Sequence, residues 1–167
     1  ITNGVSFSGV DTGANDSGAV YVYKRSGTTW QQEAYIKAPV TGTGDCFGIS
    51  LSLHQDTLIV GANLEDSNQT TITNGSGASS DNSASSAGAA YIFKRTGSTW
   101  AQEAFLKASN AESLDQFGES VAVFGDTAIV GARGEDSTQV TINNDGTSSS
   151  DNSGVATGAV YVYKRDG

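Results

Sequence analysis

Asp115-Gln116-Phe117-Gly118, followed by Thr127-Ala128-Ile129-Val130-Gly131-Ala132 and by Gly158-Ala159-Val160-Tyr161-Val162-Tyr163-Lys164-Arg165, has earlier copies in the same chain. Phe47-Gly48 precedes Phe117-Gly118 by 70 residues, and Thr57-Leu58-Ile59-Val60-Gly61-Ala62 precedes the second segment by the same step. Gly18-Ala19-Val20-Tyr21 recurs as Gly88-Ala89-Ala90-Tyr91 and again as Gly158-Ala159-Val160-Tyr161. Self-similarity at a fixed period marks a repeat architecture, in which one supersecondary unit stacks on copies of itself. Fold and function are therefore read per repeat.

Each unit reads as short strands. Residues 18–25 are β-branched or aromatic at Val20, Tyr21, Val22 and Tyr23, and a glycine precedes them. Successive side chains point to opposite faces of a strand, so this segment is apolar on both faces and is expected to be packed on both. Residues 29–38 form the returning arm of a hairpin, more polar and hence outer. In residues 45–54, Ile49, Leu51 and Leu53 fall on one side and Ser50 and Ser52 on the other. The copy places Val121 and Val123 inward, with Ser120 and Ala122 opposite, which suits a crowded strand near an axis. Residues 58–62 and 128–132 are apolar runs that read as buried strands. Residues 65–87 and 135–157 are long Ser/Thr/Asn/Gly loops, and loops of that length are often functional. No segment sustains a helical period. The expected architecture is all-β, with tandem four-stranded antiparallel blades of β-propeller type. It divides into 1–38 (a partial repeat), 39–108 (a full repeat) and 109–167 (a partial repeat lacking its last strand). That makes about two and a quarter units, an incomplete ring beside the roughly 4–8 blades of closed propellers. Ile1 lies inside a repeat, so the stretch is expected to be cut from a longer polypeptide.

In order and register, Phe47-Gly48-Ile49-Ser50-Leu51, residues 57–62 and Gly88-Ala89-Ala90-Tyr91-Ile92-Phe93, with their second copy, resemble the FG-GAP repeat family. That family is known from the β-propeller heads of integrin α chains and from bacterial surface proteins. The resemblance implies an extracellular or cell-surface module for adhesion, ligand binding or surface architecture, without catalysis. It also raises the calcium loop that integrin-type repeats often carry between their first two strands. Here that place holds only Gln55-Asp56-Thr57 and Gly125-Asp126-Thr127, too few oxygens for a 6–8-coordinate ion. The calcium site is not carried over, and no cofactor is expected.

Composition supports the same class. The 167 residues carry a net charge of −9, which argues against nucleic acid because phosphate binding needs a basic stripe. No run is apolar enough for membrane insertion as a helix. One cysteine, Cys46, allows no intrachain disulfide, and its copy is Gln116. The single histidine, His54, has Phe124 as its copy and reads as a packed or partly exposed side chain. Glu33/Glu103 and Asp45/Asp115 recur with the unit, as structural residues do. No catalytic residue is assigned, and no enzyme is expected.

Three sets of residues remain as candidate sites. Glu65, Asp66 and Asp81, with their copies Glu135, Asp136 and Asp151, gather carboxylates about a loop and are candidate cation ligands, calcium included. The plainer reading of these six is turn and cap chemistry. Trp30 and Trp100, with Tyr23, Phe93 and Tyr163, could stack on sugars as in carbohydrate-binding propellers, or pack between blades. Asn15, Asn68 and Asn74 open Asn-x-Ser/Thr triplets and are candidate glycan acceptors. The expected partners are other repeats of a longer chain or identical subunits, with glycans and surface proteins as further candidates. A structural subunit of a fibre or surface layer is the main alternative, because residues 158–165 form a strand whose hairpin partner is not in the sequence.

Overall fold

The computed structural model describes residues 2–3 and 13–166, and every regular element among them is a strand. The expected opening loop, residues 1–17, lies mostly outside the described residues, as does Gly167. Strands β1 (Thr2–Asn3), β2 (Val20–Ser26) and β3 (Thr29–Ile36) form one sheet, in the spatial order β1-β3-β2. Strands β4 (Ser50–His54), β5 (Thr57–Ala62), β6 (Thr73–Asn74), β7 (Ala89–Thr96) and β8 (Thr99–Leu106) form the second, in the order β4-β5-β7-β8-β6. Strands β9 (Phe117–Phe124), β10 (Thr127–Ala132) and β11 (Ala159–Lys164) form the third, in the order β11-β10-β9. All pairings within the sheets are antiparallel. The middle sheet is a four-stranded blade with a two-residue fifth strand on its outer edge. The first sheet matches its outer strands and the third its inner ones.

The blades stack through two apolar clusters. Val20, Ala34 and Ile36 of the first sheet meet Tyr91, Phe93 and Trp100 of the second, with Phe47 from the segment that leads into β4. Ile59, Ala90, Ala104 and Leu106 of the second meet Phe117, Val123, Ala128 and Val130 of the third. Phe47 stands edge-on to Tyr91 and Phe93, and Phe117 edge-on to Tyr161 and Tyr163, at centroid separations between 5.3 and 6.2 Å. Such edge-to-face pairs add to the gain from burying the rings. Both phenylalanines are fully buried at equivalent positions, as their common spacing requires.

The glycine beside each phenylalanine contact is dictated by space. Gly18 and Gly88 bridge to Phe47 and Phe117, and a Cβ on either would stand 2.0 or 2.1 Å from the phenylalanine carbonyl oxygen. The segment leading into each phenylalanine is tied to the preceding blade by backbone bonds. Gly44, Cys46 and Phe47 donate to the carbonyls of Asn15, Asp16 and Ser17; Leu114, Gln116 and Phe117 donate to those of Ser85, Ser86 and Ala87. The inner strands β4 and β9 also meet through side chains. Ser50 Oγ donates to Gly118 O at 2.8 Å, and the Val123 and Gly125 N–H groups donate to Ser52 Oγ and His54 Nδ1 at 3.0 and 3.1 Å.

Burial departs from expectation at both ends of the stack. Strand β5 is buried at every residue, whereas its copy β10 alternates. Ile59 is 0% exposed and Ile129 40%; Ala90 is 0% exposed and Val160 68%. Ile49, Leu51 and Leu53, expected to face inward, are exposed. Their copies Val121 and Val123 pack on the second sheet, but among the described residues no inner strands of a preceding blade lie against Ile49, Leu51 and Leu53. A strand apolar on both faces is covered on both only where blades flank it, as at β7. Strands β2 and β11 each have one bare face, which exposes Tyr21 and Tyr23 on the one and Val160 and Val162 on the other.

Candidate functional site

The structure sends the candidate carboxylates into separate local roles. Glu65 is buried, and its Oε2 accepts from Lys107 Nζ and from Ser67 Oγ, both at 2.9 Å. Lys107 is itself fully buried and also donates to Gly88 O at 2.6 Å. Burial pushes the Lys107 pKa below its ordinary value, against the opposing pull of Glu65. Asp66 accepts from the Ser86 N–H at 2.7 Å, holding the loop in which Ser86 takes a positive φ. Asp81 accepts from the Asn68 N–H and from Ser83 Oγ, which lower its pKa.

The second set repeats the pattern with one difference. Glu135, also buried, accepts from the Ser137 N–H at 3.0 Å and from Asn110 Nδ2 at 2.9 Å. Asp136 accepts from the Ala156 N–H at 2.6 Å. Asp151 accepts from Thr138 and Ser153, bonds that hold it well below the usual carboxylate range. Among the described residues no group of three or more His, Cys, Asp or Glu is placed to share a metal ion. Asp115 is a separate case: burial, with the charges of Glu135, Glu112 and Asp136, pushes it up to about 6, opposed by the Glu112 N–H that it accepts.

The aromatic candidates divide rather than converge. Trp100 is 2% exposed and lies between the first two blades. Its Nε1–H donates to Glu33 Oε2 at 3.2 Å, and the Arg95 guanidinium stands 5.5 Å from the ring centroid. Arg95 in turn pairs with Glu33 at 3.2 Å and Asp56 at 2.7 Å. Phe93 is buried, and Tyr163 donates its hydroxyl to Lys107 O at 2.9 Å. Trp30 is 62% exposed, and Tyr23 is exposed with it. The inter-blade alternative therefore describes Trp100 and does not describe Trp30, although both occupy the same place in the repeat.

The set of Glu33, Asp56, Arg95 and Trp100 was not singled out from the sequence. Its signal was the recurrence of Glu33, Asp56 and Arg95 as Glu103, Asp126 and Arg165 at the common step. In the third blade Arg165 pairs with Glu103 and Asp126, both at 3.1 Å, beside a cleft lined by Ala104, Tyr163 and Lys164. Cys46 and His54 have separate structural surroundings. Burial, with Asp16 and Asp45 nearby, pushes the Cys46 thiol up, and His54 packs against Phe124 with centroids 4.3 Å apart and ring planes tilted by 44°. Asn15, Asn68 and Asn74 are all exposed.

Antiparallel blades stacked through Phe-Gly and Gly-Ala segments define a propeller-type repeat protein. The sequence profile of the FG-GAP repeat matches residues 30–93 and 100–163, and the chain belongs to that family. No curated protein matches the chain. FG-GAP repeats are typical of extracellular and surface proteins, and the family is generally non-enzymatic.

Proposed function

We propose that this chain is a non-enzymatic extracellular module whose work is done by the faces and edges of its blades, in adhesion, ligand binding or surface architecture. The observation that carries this reading is the pair of bare apolar faces. Leu53 at one end and Ile129 and Val160 at the other occupy the places of Val123, Ile59 and Ala90, which are buried between blades, and Leu51 and Val162 those of Val121 and Ile92, which are half-buried there; Ile49 is exposed beside Leu51. Contiguous exposed apolar side chains mark interaction surfaces. The partners in this reading are other blades, either further repeats of a longer chain or identical subunits. The edge of β11, unpaired among the described residues, favours a fibre or surface layer as a second form of the same reading.

Sedimentation equilibrium tests it. Leu51→Lys and Val162→Lys each place a charge on an exposed position and should leave the fold intact. Each is expected to reduce association of the parent chain. A parent that stays monomeric at hundreds of micromolar, indistinguishable from both variants, overturns the reading.

A further inference from the structure

Residues 18–25 and residues 158–165 have the same sequence, Gly-Ala-Val-Tyr-Val-Tyr-Lys-Arg. Strand β3 is held on β2 by the pairs from Val20 and Ile36 to Arg25 and Trp30. Strand β11 offers the same side chains in the same order along an edge unpaired among the described residues. A strand that pairs with β2 therefore finds the same cross-strand neighbours on β11.

Two places beside β11 are open copies of places filled elsewhere. The first is the cleft at Glu103 and Arg165, which repeats the surroundings of the Trp100 indole. The second lies at Gly158. At Gly18 and Gly88 a phenylalanine carbonyl sits against the glycine, but a Cβ at Gly158 would meet nothing nearer than Arg133 O at 3.6 Å. The groove there is lined by Ser120, Gly131 and Thr157. Ala156 beside it has a φ of 48°, close to the 54° of Asp16 and 55° of Ser86, whose carbonyls accept from the incoming segment at the other two places.

We propose that residues 29–48 of a second copy of this chain leave their own β2 and add to β11, so that copies join head to tail by strand exchange. This rests on the reading above, that the module acts through its blade faces and edges. Trp30 of the second copy enters the cleft, donating to Glu103 beneath Arg165 as Trp100 donates to Glu33. Phe47 keeps Tyr91 and Phe93 of its own blade and exchanges Gly18 for Gly158. Ile49, Leu51 and Leu53 come to rest against Ile129, Val160 and Val162, as Val121 and Val123 rest against the second sheet. The pairs that β3 makes with β2 are re-formed on β11 and the two with β1 are given up, so the gain is the apolar surface newly covered, set against that loss and the cost of association. Two inter-blade bonds are not reproduced, because Ala122 and Phe124 stand where Ser52 and His54 accept. Phe124 meets His54 of the second copy instead, the same pair of rings in reverse order.

Sedimentation velocity combined with trypsin digestion tests the exchange. Oligomers are expected to grow with concentration. Cleavage after Lys24 and Arg25 should grow with them, because exchange frees β1 and β2 from β3. Trp30→Ala alters an exposed side chain, so the monomer should fold, and its association is expected to weaken roughly tenfold or more. A synthetic peptide of residues 29–48 should bind the chain and suppress oligomers, and the same peptide with alanine for Trp30 should do neither. Oligomers that keep Lys24 and Arg25 protected, or that Trp30→Ala leaves unchanged, refute exchange while leaving association through blade faces standing. A chain that stays monomeric and ignores the peptide refutes both.

Discussion

Trp30 and Trp100 show how little a residue's identity says about its contribution until its neighbours are known. Both follow threonine at the start of an outer strand, yet one is 62% exposed and the other 2%. Trp100→Ala removes a buried ring and leaves Glu33 without its indole donor, so it is expected to cost about 3–5 kcal/mol. Trp30→Ala should cost less than about 1 kcal/mol in dilute protein. Urea denaturation of both variants checks this, and equal losses would contradict the burial described. Asp115 supplies a pH test at the same scale. Its folded pKa of about 6 stands above the ordinary value of 3.8, so the fold holds this proton more tightly than the unfolded chain does. Its contribution to stability is thus fully present below about pH 4 and is lost as the pH rises through about 6. Asp115→Asn keeps an acceptor for the Glu112 N–H and removes the titration. The variant should gain in Tm on the parent between pH 4 and pH 7.5, and an unchanged difference across that range contradicts the assignment.

Gly61 and Gly131 stand at the same place in β5 and β10, but only the first has a blade against it. A Cβ on Gly61 would lie 2.0 Å from the backbone oxygen of Gly118, which cannot move without shifting β9. A Cβ on Gly131 would meet only the Ser120 hydroxyl, at 2.5 Å, and that side chain can rotate. Gly61→Ala is therefore expected to cost about 2 kcal/mol or more, and Gly131→Ala under about 1, measured by thermal or urea unfolding. The contrast also shows what was legible in the sequence. The recurrence of Phe-Gly and Gly-Ala segments located the strands and their antiparallel partners, because each copy of a strand makes the same backbone pairs. It was silent on which copy is covered, since Ile59 and Ile129 differ through what stacks on them. Strand β6 was also hidden. Thr73 and Asn74 carry no β pattern, and pair with Phe105 and Ala104 because the loop crosses beside β8. The carboxylates were visible as recurring residues, but the role of Glu65 depends on Lys107, 42 positions away in sequence and 2.9 Å away in space.

For the molecule as a whole, stability should follow the number of blades touching each strand. In a repeat protein each unit contacts only its neighbours, so intrinsic and interface contributions add along the stack. The middle blade takes part in both apolar clusters, and the first and third blades in one each. Strands β5 and β7 also have a paired neighbour on either side within their sheet, whereas β11 is an edge. Local opening draws on the least-contacted elements first. Amide hydrogen exchange in dilute protein should therefore be slowest in β5 and β7. It should be faster in β10, whose pairing is the same but whose outer face is bare, and fastest among the three at the edge, in β11. If β10 and β5 exchange alike, backbone pairing rather than blade stacking governs protection. If β11 is as slow as β7, its edge is occupied in solution. In that case, slow exchange that disappears on dilution or in Trp30→Ala identifies the occupant as a second copy.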